Sequence, residues 1–202
     1  MHISEGVLGV PVLAAGAAVA VAGTAMGLRR IDYDRLMTVA LMSATFFVAS
    51  LIHVPLGPSS AHLVLNGLLG ALLGWAAFPA ILVALLLQAV LFQFGGITVL
   101  GVNTCTMAIP AVVSFYLFRP LMRGSGVQLA LGAFGCGFGS FLLAAVLTSG
   151  ALALSGEAFG AAARIVLVTQ IPVMVLEGFV TVFVVTFLAK VRPEVLSFRM
   201  AG

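Results

Sequence analysis

The chain has 202 residues, 62% of them hydrophobic and only 7% charged. A soluble domain carries about 25% charged residues, so the composition excludes a soluble globular protein and leaves no room for a second, soluble domain. The net charge of +3 comes from basic residues scattered over loops with no basic stripe, which argues against nucleic acid and leaves the lipid bilayer as the surroundings.

The first two residues, Met1-His2, already carry chemistry. A histidine in second position places the terminal amine, the His2 amide and the imidazole in one chelating arm. A fourth nitrogen would complete a tetragonal site, the geometry that suits Ni(II) or Cu(II) with nitrogen ligands. By position alone the histidine is equally well an exposed terminal residue. Glu5-Gly6 and the helix start behind it make a short, ordered lead-in. Residues 1–10 contain no Lys or Arg, so the basic region of a cleavable signal is missing. The bulky second residue predicts that the initiator Met is kept.

Seven apolar spans follow, each near the roughly 20 residues a bilayer requires or somewhat shorter. They cover residues 7–27, 35–54, 60–74, 76–94, 101–119, 126–149 and 163–189. The third is short, Gly-rich and begins at a polar Pro58-Ser59-Ser60 run. With the N-terminus outside and the C-terminus cytoplasmic, Arg29, Arg30, Arg35, Arg119, Arg123, Lys190, Arg192 and Arg199 fall at cytoplasmic ends and only Arg164 falls outside. The chain therefore reads as one all-α, polytopic helix bundle over residues 1–202. This topology gathers the N-terminus, the 55–60 loop before His62, His53 and the Gly95-Gly96 loop on the outer face.

Polar residues inside the spans are the remaining candidates. His62 lies just inside the membrane, where a polar ring needs a partner, as a metal ligand or in an interhelical hydrogen bond. His53, at an interface, either faces water or joins the ligands. Asn66 falls one helical turn beyond His62 and Asn103 opens the fifth span. Amides there orient a ligand or tie two helices. Gln88 and Gln93 belong to the same polar set. Glu177 is a carboxylate in mid-span, serving either as a proton relay or as a hydrogen-bond partner of a neighbouring helix. Cys105 and Cys136 have no metal-site spacing and read as small buried groups. No P-loop, Ser-His-Asp set, HExxH or paired carboxylates occur, so neither ATP binding nor catalysis is expected of this chain alone.

The motifs carry a resemblance. Met1-His2-Ile3-Ser4-Glu5-Gly6 resembles the MHIxEG start of the CbiM/NikM family, the metal-binding membrane subunits of nickel and cobalt energy-coupling-factor transporters. Ser60-Ala61-His62-Leu63 resembles its SxHL motif. Gln88 with Phe92-Gln93-Phe94-Gly95-Gly96 through Leu100-Gly101-Val102-Asn103 resembles its GG…LGxN run, and Leu176-Glu177-Gly178 its last-helix EG motif. The resemblance covers essentially the whole chain. Phe94 departs from the pattern, since members often carry Asp or His there.

The resemblance implies a seven-span fold whose added first helix brings the free N-terminus into a six-helix core. It implies Ni(II) or Co(II) as transported substrate, bound by Met1, His2 and His62, without an organic cofactor. Glu5, Ser60, Asn66, Gln93 and Asn103 are the candidates to support those ligands. Implied partners are a transmembrane coupling subunit, two ATP-binding cassette ATPase subunits and often a small accessory membrane subunit, in the plasma membrane of a prokaryote. Ala40 and Ala44 resemble the AxxxA helix face that related subunits turn toward the coupling subunit. The alternative reading is a stand-alone, proton-coupled divalent-metal permease using Glu177.

Overall fold

The computed structural model describes residues 3–56, 59–154, 170–196 and 198, with backbone only for 53–56 and 59–62. Among the described residues, seven α-helices follow in order: α1 Val10–Leu28, α2 Leu36–Leu51, α3 Asn66–Leu73, α4 Ala77–Phe92, α5 Leu100–Met122, α6 Val127–Ala153 and α7 Ile171–Val191. Between α2 and α3 lies an antiparallel hairpin of β1 His53–Leu56 and β2 Ser59–His62. Local chemistry sets the starts of two helices. Pro11 and Pro172 sit in the first turns of α1 and α7, where a missing N–H costs nothing.

Among the described residues, six helical stretches are long and apolar enough to cross a bilayer, Asn66–Phe92 counting as one of them. That stretch is broken at Gly74, whose φ of 56° lies in a region only glycine enters freely. Contacts on either side of it show that the chain reverses there. Arg35, just before α2, donates to the Leu72 carbonyl at 2.9 Å. Gly27 packs on Trp75 and Pro79, and Gly23 on Phe78. Further along α4, Gln88 reaches Ser50 near the far end of α2. So α3 runs toward the end of the bundle that holds Arg29–Arg35, and α4 runs back.

The expected third span, 60–74, is helical only over its second half. Residues 59–62 are a strand, and 63–65 lead into α3 without helical structure. With eight residues, α3 is about 12 Å long, less than half the hydrocarbon thickness of a bilayer. Every residue of α3 is buried, and it packs on α5, α6 and α7. The core gathers around it, with Phe46, Leu69, Leu72, Ile81, Met107, Phe141 and Met174 almost fully enclosed. Close approach relies on small residues. A Cβ at Gly67 would strike the backbone of Gly137 and Cys136, and one at Gly70 the Ala111 carbonyl. In lipid, where apolar burial gains little, such packing is what holds helices together. The final expected span, 163–189, is helical from Ile171 to Val191; residues 163–169 lie outside the described residues.

Candidate metal site

Two segments converge on the end of the bundle away from Arg29–Arg35, and each is fixed by a side chain from a distant helix. The first is the N-terminal lead-in. Asn103, in the first turn of α5, accepts from the Ile3 amide at 3.0 Å and donates to the Ile3 carbonyl at 3.1 Å. One side-chain amide thus imitates a strand pairing with a single residue. Asn103 is buried, and Ile3 sits with Leu8, Val99 and Val102 in a small apolar cluster.

Two residues on, the Glu5 carboxylate accepts from the Thr98 amide at 3.0 Å and from the Thr98 hydroxyl at 3.1 Å. The Thr98 amide, and then its hydroxyl, hold the Glu5 carboxyl below its usual value of 4.5. Gly96, with φ 132°, lies against that carboxylate and leaves no space for a Cβ. The 96–98 loop and the lead-in are therefore built for each other.

The second segment is the link from β2 to α3. Glu177, on α7, takes the Val64 amide at 2.5 Å and the Leu65 amide at 2.8 and 3.0 Å. Leu65 is left-handed, with φ 55°, a strained state for a branched residue that persists because its own amide and that of Val64 are held by Glu177. The clamp is itself seated: Thr181 donates to the Glu177 carbonyl at 2.8 Å, and Gly137 packs against the same backbone. Val64 is two residues past His62. The hairpin register pairs His62 with His53, Ala61 with Val54 and Ser60 with Pro55.

Of the expected ligands, Met1 and His2 lie outside the described residues, and His62 is described by its backbone alone. Among the described residues there is no cluster of three metal-binding side chains. Ser60 likewise is placed by backbone only. Gln93 ends α4 in a left-handed conformation with an exposed side chain. Gln88 is buried and donates to Ser50.

Asn66 corrects an expectation. It cannot lie one helical turn beyond His62, because residues 62–65 are not helical: Glu177 has taken the amides that a first helical turn would otherwise leave free. Asn66 is fully buried, and neither atom of its side-chain amide has a partner among the described residues. The cysteine thiols rest on the Gly16 and Gly67 carbonyls, with no disulfide.

Sequence reasoning named Glu5 and Asn103 as supporting residues, Asn103 either to orient a ligand or to tie two segments; in the structure its amide holds the Ile3 backbone. The clamp of Glu177 on the His62 segment was missed, although Leu176-Glu177-Gly178 was the available signal.

A bundle of apolar helices whose N-terminal lead-in and loops are stitched around one end defines a polytopic membrane protein with a pre-ordered polar face. The sequence model described as "Cobalt uptake substrate-specific transmembrane region", CbiM, matches residues 2–195, and the chain belongs to that family. A Haemophilus influenzae protein named for metal transport is 48% identical over 203 residues, covering 98% of this chain and 97% of that one. An Archaeoglobus fulgidus protein named for nickel transport as a fused NikMN is 31% identical over 213 residues, covering 100% of this chain and 70% of the relative. The crystal structure of a truncated transition metal transporter superposes with a TM-score of 0.77 at 26% identity, covering 94% of this chain and 99% of that one. The family is one of cobalt and nickel transport, and the chain is a membrane component of it, not a catalyst.

Proposed function

We propose that this chain is the substrate-binding subunit of an ATP-driven energy-coupling-factor transporter, capturing Ni(II) or Co(II) through the Met1 amine, the His2 amide and imidazole, and His62. The whole of residues 1–202 acts as one transmembrane domain in the plasma membrane of a prokaryote. The end bearing the lead-in and hairpin faces outward, and the arginine-bearing end faces the cytoplasm. A transmembrane coupling subunit, two ATPase subunits and an accessory membrane subunit complete the transporter. The exposed Ala40–Ala44 face of α2 is the surface offered to the coupling subunit.

The observation that carries this reading is the pair of clamps. Asn103 fixes the residue next to His2, and Glu177 fixes the backbone two residues past His62. Ordered backbones beside both histidines lower the conformational cost of bringing their nitrogens to one ion. Four nitrogens including a deprotonated amide suit square-planar Ni(II), while Co(II) accepts the same ligands. The stand-alone permease reading needs Glu177 to shuttle protons, but both its oxygens already accept backbone amides.

Metal titration of the purified protein tests the site. His2→Ala and His62→Ala are each expected to abolish high-affinity Ni(II) and Co(II) binding. Binding undiminished in His62→Ala overturns the ligand set.

A further inference from the structure

Outside the metal site, a cavity of about 550 Å3 opens between α1, α5 and the start of α4. Its walls are apolar: Val19 and Met26 from α1, Phe78 from α4, Val113 and Tyr116 from α5, with Trp75 from the preceding turn. Val19, Met26, Val113 and Tyr116 are exposed, so the groove faces outward from the bundle, toward lipid. It lies in the half of the bundle that ends at Arg29–Arg35.

A cation is fixed on this groove. The Arg30 guanidinium carbon stands 5.5 Å from the Trp75 ring centroid, and its Nη1 donates to the Tyr116 hydroxyl at 3.2 Å. Both partners line the cavity. Arg30 is exposed, and among the described residues no carboxylate lies within ion-pair range of it. Its guanidinium therefore keeps N–H donors in a planar fork, a shape that matches phosphate.

Charge and shape together select the occupant. The wall calls for hydrocarbon and the Arg30 fork calls for an anionic oxygen group, so one molecule meeting both is amphipathic. A helix about 10 Å across fills roughly 400 Å3 per turn, so the groove would take only about one turn of a partner helix, while a single acyl chain can follow its length. Trp and Tyr at the headgroup level, beside arginines, are the usual surroundings of anionic lipid. We propose that this groove binds one anionic phospholipid, its acyl chain along Val19–Met26 and its phosphate on Arg30.

Trp75 is the single tryptophan of the chain, so its fluorescence reads the groove alone. The full-length protein is reconstituted in vesicles in which either phosphatidylglycerol or phosphatidylcholine carries bromine in its acyl chains. Brominated phosphatidylglycerol is expected to quench Trp75 with roughly fivefold higher relative affinity than brominated phosphatidylcholine. That preference disappears in Arg30→Gln and is largely kept in Arg30→Lys. Ala22→Phe, which fills the groove wall, reduces quenching by both lipids. Equal quenching by the two lipids, or a preference unchanged in Arg30→Gln, overturns the proposal. So does a Trp75 that neither lipid quenches, since protein would then cover the groove.

Discussion

The two clamps at the metal end solve one problem with different chemistry. Asn103 uses a neutral amide that both gives and takes, and it holds one residue of the N-terminal lead-in. Glu177 uses a carboxylate that only accepts, and it holds two successive amides of a link between strand and helix. The terminus needs a partner for a donor and an acceptor, which an amide supplies. The link presents N–H groups alone, much as the start of a helix does, and an acidic group is the natural complement there. The Glu177 clamp is the more consequential of the two. It lies in the core beside α3, where water cannot replace it, whereas Asn103 sits in the first turn of α5 near the bundle's end.

The comparison breaks most sharply at Glu177. Glu177→Leu leaves two buried amides without acceptors and removes what holds Leu65 left-handed. A loss of about 3 kcal/mol or more is expected, seen as a large fall in the thermal midpoint in detergent. Metal affinity should fall with it. Glu177→Gln keeps one acceptor oxygen and should recover part of both. If Glu177→Leu unfolds at the wild-type temperature, the clamp is not what orders this link.

Asn103→Ala is expected to be milder in stability but specific in function. The fold keeps its core, while the Ile3 amide and carbonyl lose their partner at a cost of about 1–3 kcal/mol. Support of this kind around a metal ligand is typically worth 10–100-fold in affinity, and a loss of that size is expected in Ni(II) titration with α-helix content unchanged. Asn103→Asp should not rescue it, because a carboxylate can accept from the Ile3 amide but cannot donate to its carbonyl. Binding unaltered in Asn103→Ala would mean that His2 is positioned by other contacts.

The same contrast explains what the sequence reveals. The long helices were legible because their signal is local: expected spans 76–94 and 126–149 correspond to Ala77–Phe92 and Val127–Ala153 within a few residues. The third span misled because its apolar, Gly-rich letters suit a helix. The residue that prevents one over 63–65 lies 113 positions away on α7. The 55–60 loop was read from the sequence, but nothing local told that the segments on either side of it pair as strands. Asn103 was recognised as part of the site because it opens a span. Which group it holds depends on Ile3, 100 residues earlier, and spacing carries no trace of that pairing.

Glu5 gives the smallest expected effect and separates the lead-in from the metal chemistry. Its carboxyl is held below 4.5 by the Thr98 amide and hydroxyl, which favour the ionised form. A depressed carboxyl stabilises the folded form above the unfolded value of 4.5, and that contribution is lost as pH falls through the lower folded value. Glu5 therefore titrates below the range in which imidazoles and amines do. The proposed amine and imidazole ligands, by contrast, must lose protons to bind, so affinity should fall on acidification across that range. In Glu5→Gln the pH profile of Ni(II) affinity is expected to keep its midpoint and slope, with at most a uniform, few-fold weakening because the 96–98 loop has lost a charge-assisted bond. A midpoint that moves in Glu5→Gln would place this carboxylate among the groups that titrate with the metal and would undo the division between the arm that binds and the loop that steadies it.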